Sequence, residues 1–194
     1  MMSEASRLYN FVYRGHLAEQ ALDEAGRKNR RLAEFEEAET ARILSLDLLD
    51  DEHVRNARAM ANAYIAFAAF ENSVRSLISN VLLEQVGAGW WDSCVSQKIR
   101  ERAEQKRQEE EKIRWHVQRG ADPINYTLMG DLVSILRQNW THFEPYIPSI
   151  EWASSLIDVL ERSRNVIMHS GMLGRADIER VGIYVRDWIK QVGA

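Results

Sequence analysis

Residues 164–170, Arg-Asn-Val-Ile-Met-His-Ser, set a permanent cation, an amide and an imidazole within two helical turns, just before Gly171. Such groups handle phosphate: a guanidinium holds an oxyanion with a planar fork of donors, and an imidazole takes or gives a proton near neutral pH. On a helix each residue turns by about 100° and rises by about 1.5 Å. Asn165 and His169, four apart, therefore share a face, where the amide is expected to hydrogen-bond one ring nitrogen and fix the tautomer. Arg164 and His169, five apart, point about 140° from each other and sit about 7.5 Å apart along the axis. One copy of the segment does not easily close both groups on one small atom. Two copies across a two-fold axis can, each lending a His and an Arg to a shared cleft.

The elements that must position these groups read as helices. Three prolines, ten glycines and abundant Ala, Leu, Glu and Arg predict an all-α chain. Residues 4–49 carry Leu8, Phe11, Val12, Leu32, Phe35, Ile43 and Leu46 at helical spacing amid dense charge, so one or two amphipathic helices are expected, with Gly15 and Gly26 as breaks. Asp50, Asp51 and Glu52 place acids at a helix start, and no breaker follows until Gly87, so 52–86 reads as one long helix with Ala63, Phe67, Phe70, Val74, Leu77, Ile78 and Val81 as its apolar line. Residues 96–115 read as a strongly charged helix closed by Trp115, and 128–142 as a compact one through Leu132, Ile135, Leu136 and Trp140. Pro145 and Pro148 punctuate a loop, and Ser149 is the expected N-cap of the helix that carries the motif. A last helix from Ala176 is expected to bury Ile178, Val181, Val185, Trp188 and Ile189.

Composition narrows the function. With 29 acidic against 25 basic residues the net charge is −4, which does not suit a general nucleic-acid coat, so any RNA site must be local. No cofactor loop, nucleophile elbow, H-E-x-x-H or C-x-x-C is present, and His16, His53, His116 and His142 are too scattered to form a metal site. Cys94, the single cysteine, excludes an internal disulfide. Neither an apolar signal core nor a membrane-length apolar run is seen, which reads as a soluble cytoplasmic protein without membrane attachment.

Several further segments accompany the motif: Phe70-Glu71-Asn72-Ser73-Val74-Arg75 in the long helix, Trp90-Trp91-Asp92 after a glycine turn, Arg114-Trp115, Pro123-Ile124-Asn125-Tyr126, and Gly130-Asp131-Leu132 before Asn139-Trp140. Together with Arg164 and His169, they resemble the HEPN superfamily of RNA-cleaving domains with its R-x4-6-H signature. They look like one particular branch of it, found in prokaryotic conflict systems and as the C-terminal domain of a eukaryotic RNA-quality-control endonuclease. The likeness covers roughly residues 45–192, so the expected organisation is an N-terminal amphipathic extension over 1–50 and a HEPN-like helical bundle over 51–194. The resemblance implies a dimeric, metal-independent ribonuclease, needing no cofactor, that acts as a toxin or antiviral effector restrained by an antitoxin or other regulatory protein.

On that resemblance Arg164 and His169 are the candidate catalytic pair, Asn165 orients His169 or touches phosphate, and Glu71 occupies a position where such nucleases often place an acid facing the cleft. Arg162 and Arg75 are the candidate RNA contacts, with Lys106, Arg107, Lys112 and Arg114 as possible guides for the backbone. Simpler readings stand beside these. Glu71 and Arg75, spaced i,i+4, also fit a helix-surface ion pair. His169 fits a helix-end imidazole over the last carbonyls, and Trp90, Trp91, Trp115, Trp140 and Trp152 fit packing anchors better than base-stacking platforms. The alternative function is a non-catalytic helical module of a defence or toxin–antitoxin system that binds a protein partner.

Overall fold

The computed structural model describes residues 14, 15, 17–25 and 27–193, the side chains of 27–34 excepted. Among these residues there is no β-strand, and the all-α expectation holds. Residues 17–24 are helical, followed by α1 (Arg27–Ile43), α2 (Asp51–Val86), α3 (Trp90–Cys94), α4 (Gln97–Glu111), α5 (Met129–Gln138), α6 (Trp140–Phe143), α7 (Ile150–Met168) and α8 (Arg175–Val192), with 3-10 turns at Leu46–Leu48 and Pro123–Tyr126. None of the described helices is long and apolar enough to cross a membrane. The chain divides into two compact units, Met1–Arg55 and Asn56–Ala194.

In the first unit Gly15 is helical rather than a break, while Leu8, Phe11, Val12 and Gly26 lie outside the described residues. Phe35, Ile43, Leu44, Leu48 and Leu49 are exposed, so these apolar positions are not used in a core, whereas Leu46 is half-buried and the side chain of Leu32 lies outside the described residues.

The second unit is built on α2, about 54 Å long at 1.5 Å per residue. Met60, Phe67, Phe70, Val74, Ile78, Val81 and Leu82 form its buried line, at the three- and four-residue spacing that keeps side chains on one face. Leu132, Ile135 and Leu136 of α5, Leu156, Ile157 and Leu160 of α7, and Val181 and Trp188 of α8 complete the core. Trp188 is fully buried: its indole meets Phe70 edge-on at 5.5 Å and stacks on Trp152 at 6.1 Å. Ile178 and Ile189, expected inside, are exposed, because α8 covers the core with a narrower face than its apolar content allows.

Polar side chains set the joints between helices. Ser149 Oγ accepts from the backbone N–H of Trp152 at 3.0 Å and starts α7. Buried Asp131 accepts from the backbone N–H of Leu128 at 3.0 Å and from Arg102 at 2.9 Å, fixing the start of α5 to α4. The compact helix expected over 128–142 is broken at Asn139, whose amide donates to the carbonyls of Ile135 and Cys94, both at 2.8 Å. The charged helix stops at Glu111, short of Trp115. Trp115 therefore closes nothing and stands 85% exposed in the 112–122 loop, while Trp90, Trp91, Trp140 and Trp152 pack against the core.

Candidate functional site

Helices α2 and α7 run antiparallel where the motif lies. Arg164 stands beside Glu71, and nine residues on, the backbone N–H of Leu173 meets Met60 Sδ at 3.3 Å, eleven residues back along α2. A cavity of about 370 Å³ opens where α2, α7 and the 119–129 segment converge. Its polar wall carries Glu71 and Asn72 from α2, Glu161 and Arg164 from α7, and Arg119 and Asn125 from the loop and 3-10 turn.

Glu71 is the hinge of this wall. One of its carboxylate oxygens accepts from Arg75, and the other lies 3.9 Å from Arg164 Nε, a pairing of charges rather than a hydrogen bond. Only 14% of its side chain is exposed, so two guanidiniums compensate the charge that burial would otherwise penalise. The guanidinium of Arg75 also donates to the carbonyls of Ile124 (3.2 Å) and Thr127 (3.1 Å) and to Asn72 Oδ1 (3.3 Å). The i,i+4 ion pair thus forms, and Arg75 clamps the 3-10 turn onto α2. Gly120 bends the loop that enters this turn. Its φ of +156° favours glycine, and a Cβ there would lie 2.3 Å from the Asn125 amide that lines the cavity.

Arg164 is held loosely, 36% exposed, with a 3.4 Å contact from Nη1 to Asn165 Oδ1. Asn165 consequently turns its amide towards Arg164. The expected bond to the His169 ring is not formed; what joins the two residues is the helical bond from the His169 N–H to the Asn165 carbonyl at 3.1 Å. His169 is exposed, and among the described residues nothing bonds its imidazole. It does not line the cavity, and Arg162 is exposed outside it as well. The structure therefore brings Glu71, Arg75 and Arg164 together and leaves Arg162 and His169 apart from them, as the divergence of residues five apart requires.

The helix stops at His169 through a double backbone lock. Ser170, at φ +63°, donates to the Ile167 carbonyl at 2.9 Å, and Gly171 donates to the Val166 carbonyl at 2.8 Å. A Cβ on Gly171 would lie 2.8 Å from that carbonyl oxygen, so glycine is required there by close approach.

Glu161 and Arg119 are charged cavity residues that the sequence did not single out; Glu161 is the one on the motif helix. It lies one turn before Arg164, the same face of the same helix, and that spacing was its only signal. Burial raises its carboxyl pKa, Asp158 adds to the rise and Arg164 opposes it. On the loop side, burial and the neighbouring Arg119 lower the pKa of Lys106. Because the folded state holds the Glu161 proton more tightly than the unfolded chain does, the linked stability is present at low pH and is lost as pH rises through the raised pKa. Glu161→Gln is accordingly expected to melt at a higher temperature than the parent chain at pH 7. The gain should shrink on acidification and vanish below about pH 4, where the carboxyl is protonated in both states; melting curves at several pH values check this.

The all-helical bundle, with an Arg in the last turns of α7 and a His at its C-cap, fits the fold of a HEPN domain. A family profile described as Swt1-like HEPN matches residues 65–193, and the chain belongs to that family. No curated protein and no solved structure matches it. Among the described residues no group of three His, Cys, Asp or Glu side chains is placed to hold a metal ion.

Proposed function

We propose that this chain is an endoribonuclease that cuts RNA as a homodimer, by attack of a ribose 2′-hydroxyl on the adjacent phosphate. HEPN domains are commonly ribonucleases, and the observation that carries the reading here is the split placement of the motif: Arg164 loosely held at the cavity, His169 exposed and, among the described residues, unbonded. In the reaction His169 accepts the 2′-hydroxyl proton as the 2′-oxygen forms its bond to phosphorus. The bond to the 5′-oxygen breaks, and that oxygen takes a proton from a second imidazole, His169 of another copy. Arg164 holds the phosphate oxygens and offsets the charge that grows on them.

Exposed Tyr64 and Ile65 on α2, with Val166 and Met168 at the end of α7 and Met172 just beyond it, supply apolar surface at the level of His169 for a two-fold contact. No step calls on a metal. The exposed apolar residues of α1 and its turn, Phe35, Ile43 and Leu48 among them, favour a role for the N-terminal extension as the handle of an antitoxin or other regulator, in a cytoplasmic defence or toxin setting. The same surface supports the second reading, a module that binds a partner without cutting RNA.

The products decide between them. Cleavage should persist in excess chelator and leave a 2′,3′-cyclic phosphate or its hydrolysis product, and a single 2′-deoxy sugar at the cut site should block it. Strict dependence on magnesium with 5′-phosphate ends would refute the chemistry. An inert, folded chain would leave the binding module.

A further inference from the structure

The cavity beside Arg164 has unequal hydrogen-bonding accounts. Glu71 is taken by Arg75 and Arg164, Arg75 by Glu71 and two carbonyls, and Nε of Arg119 by Glu110. Glu161 has no hydrogen-bond or ion-pair partner among the described residues, and neither does the side-chain amide of Asn125. The amide nitrogen of Asn72 is also unused, its oxygen alone being engaged by Arg75. A partly buried carboxylate without donors is costly, and a ligand that supplies them recovers that cost.

The cavity, at about 370 Å³, lies within the range of small-ligand sites of about 300–1,000 Å³. Ala68, Leu128 and Met129 give it an apolar side against which a flat ring can lie. An unpaired RNA base is read at its edge while a face rests on protein. A carboxylate has two acceptor oxygens and no donor, so it best fits an edge with two adjacent N–H groups. Among RNA bases the Watson–Crick edge of guanine alone offers this, at N1–H and the 2-amino group. Adenine and cytosine each set a ring-nitrogen acceptor beside their amino group, and uracil flanks its single N–H with two carbonyls, so each presents a lone pair to the carboxylate.

We propose that this cavity is a guanine-selective pocket for one nucleotide of the RNA, in which Glu161 accepts from N1–H and the 2-amino group while Asn125 and Arg119 donate to acceptors on the rest of the base. Arg164, at the same wall, then faces the adjoining phosphate. The inference rests on the ribonuclease reading for its choice of RNA as ligand. Burial, with Asp158 adding to it, raises the pKa of Glu161, which agrees in sense with a carboxyl whose charged form is poorly compensated in the free chain.

The test reads binding rather than cleavage. The full chain is titrated with 2′-fluoro-substituted RNA hexamers, which lack the attacking hydroxyl, each carrying guanosine, inosine, adenosine or cytidine at one position in a uridine background, with an all-uridine control. Inosine keeps N1–H and loses only the 2-amino group. The guanosine hexamer should bind about 10-fold or more tighter than the inosine hexamer, the value of one hydrogen bond to a charged group, and tighter than the other three. Glu161→Gln, shown to be folded by its melting curve, should bind the guanosine and inosine hexamers alike. Equal binding of these two by the parent chain, no binding at all, or a guanosine preference that survives in Glu161→Gln would each overturn the pocket. Cleavage of ordinary RNA is scored separately: a chain that cuts without preferring guanosine keeps the ribonuclease reading and loses the pocket, and one that prefers guanosine without cutting does the reverse.

Discussion

Replacing His169 with Ala is expected to lower RNA cleavage at least about 100-fold, the scale of losing a general acid or base. The imidazole is exposed and bonds to nothing among the described residues, so circular dichroism and melting temperature should not move. Arg164→Ala should fall as far. Arg164→Lys should recover little, because an ammonium lacks the fork that meets two phosphate oxygens. If each cleft combines an Arg from one copy with a His from the other, mixing the two inactive variants restores one cleft of correct composition per mixed dimer. Undiminished cleavage by pure, folded His169→Ala would sink the assignment. A chain that is monomeric at micromolar concentration and still cuts RNA would refute the shared cleft and direct the search for a second proton-transfer group to Glu71 and Glu161.

The largest effect on stability is expected at Trp188. The indole is fully buried between Phe70 and Trp152, and truncation to Ala leaves a void that three helices cannot close, at a cost of about 3–5 kcal/mol. Set against a total stability of about 5–15 kcal/mol, that brings the bundle near unfolding at ordinary temperature. Trp188→Phe should cost markedly less: it keeps a ring against both neighbours and removes a buried indole N–H that has no partner among the described residues. Urea denaturation of the three proteins measures the order. A loss under about 1 kcal/mol for Trp188→Ala would mean that the three packed rings are not the centre of the core.

What was legible in the sequence was what is local. Acids at 50–52 and the glycine at 87 bracket α2, Ser149 caps α7, and the apolar spacing of Phe67, Phe70, Val74 and Ile78 gave the buried face, all within a few turns of one helix. What was not legible depends on residues far apart in the chain. The break at Asn139 is made by a bond to Cys94, 45 residues away. The role of Arg75 is set by carbonyls 49 and 52 residues on. Trp115 looked like a helix-closing anchor because tryptophans usually are, but the helix ends before reaching it. The site divides in the same way: Arg164, Asn165 and His169 were visible as a cluster and Glu71 through the family resemblance, whereas Glu161, Arg119 and Asn125 join the cavity only through packing. The amide–imidazole bond failed because Arg164, one residue away, competes for the Asn165 oxygen.

The backbone lock after His169 separates two kinds of order. Carbonyls of Val166 and Ile167 hold the chain exit, so the Cα of His169 has a fixed address, while the ring on it bonds to nothing among the described residues. Freezing such a side chain costs up to about 1–2 kcal/mol, which the lone protomer does not meet and an assembled cleft must. On the proposed reading, idleness is therefore the resting condition of a single chain. On that reading a regulator need not undo a finished active centre; it has only to keep two addresses from coming into register.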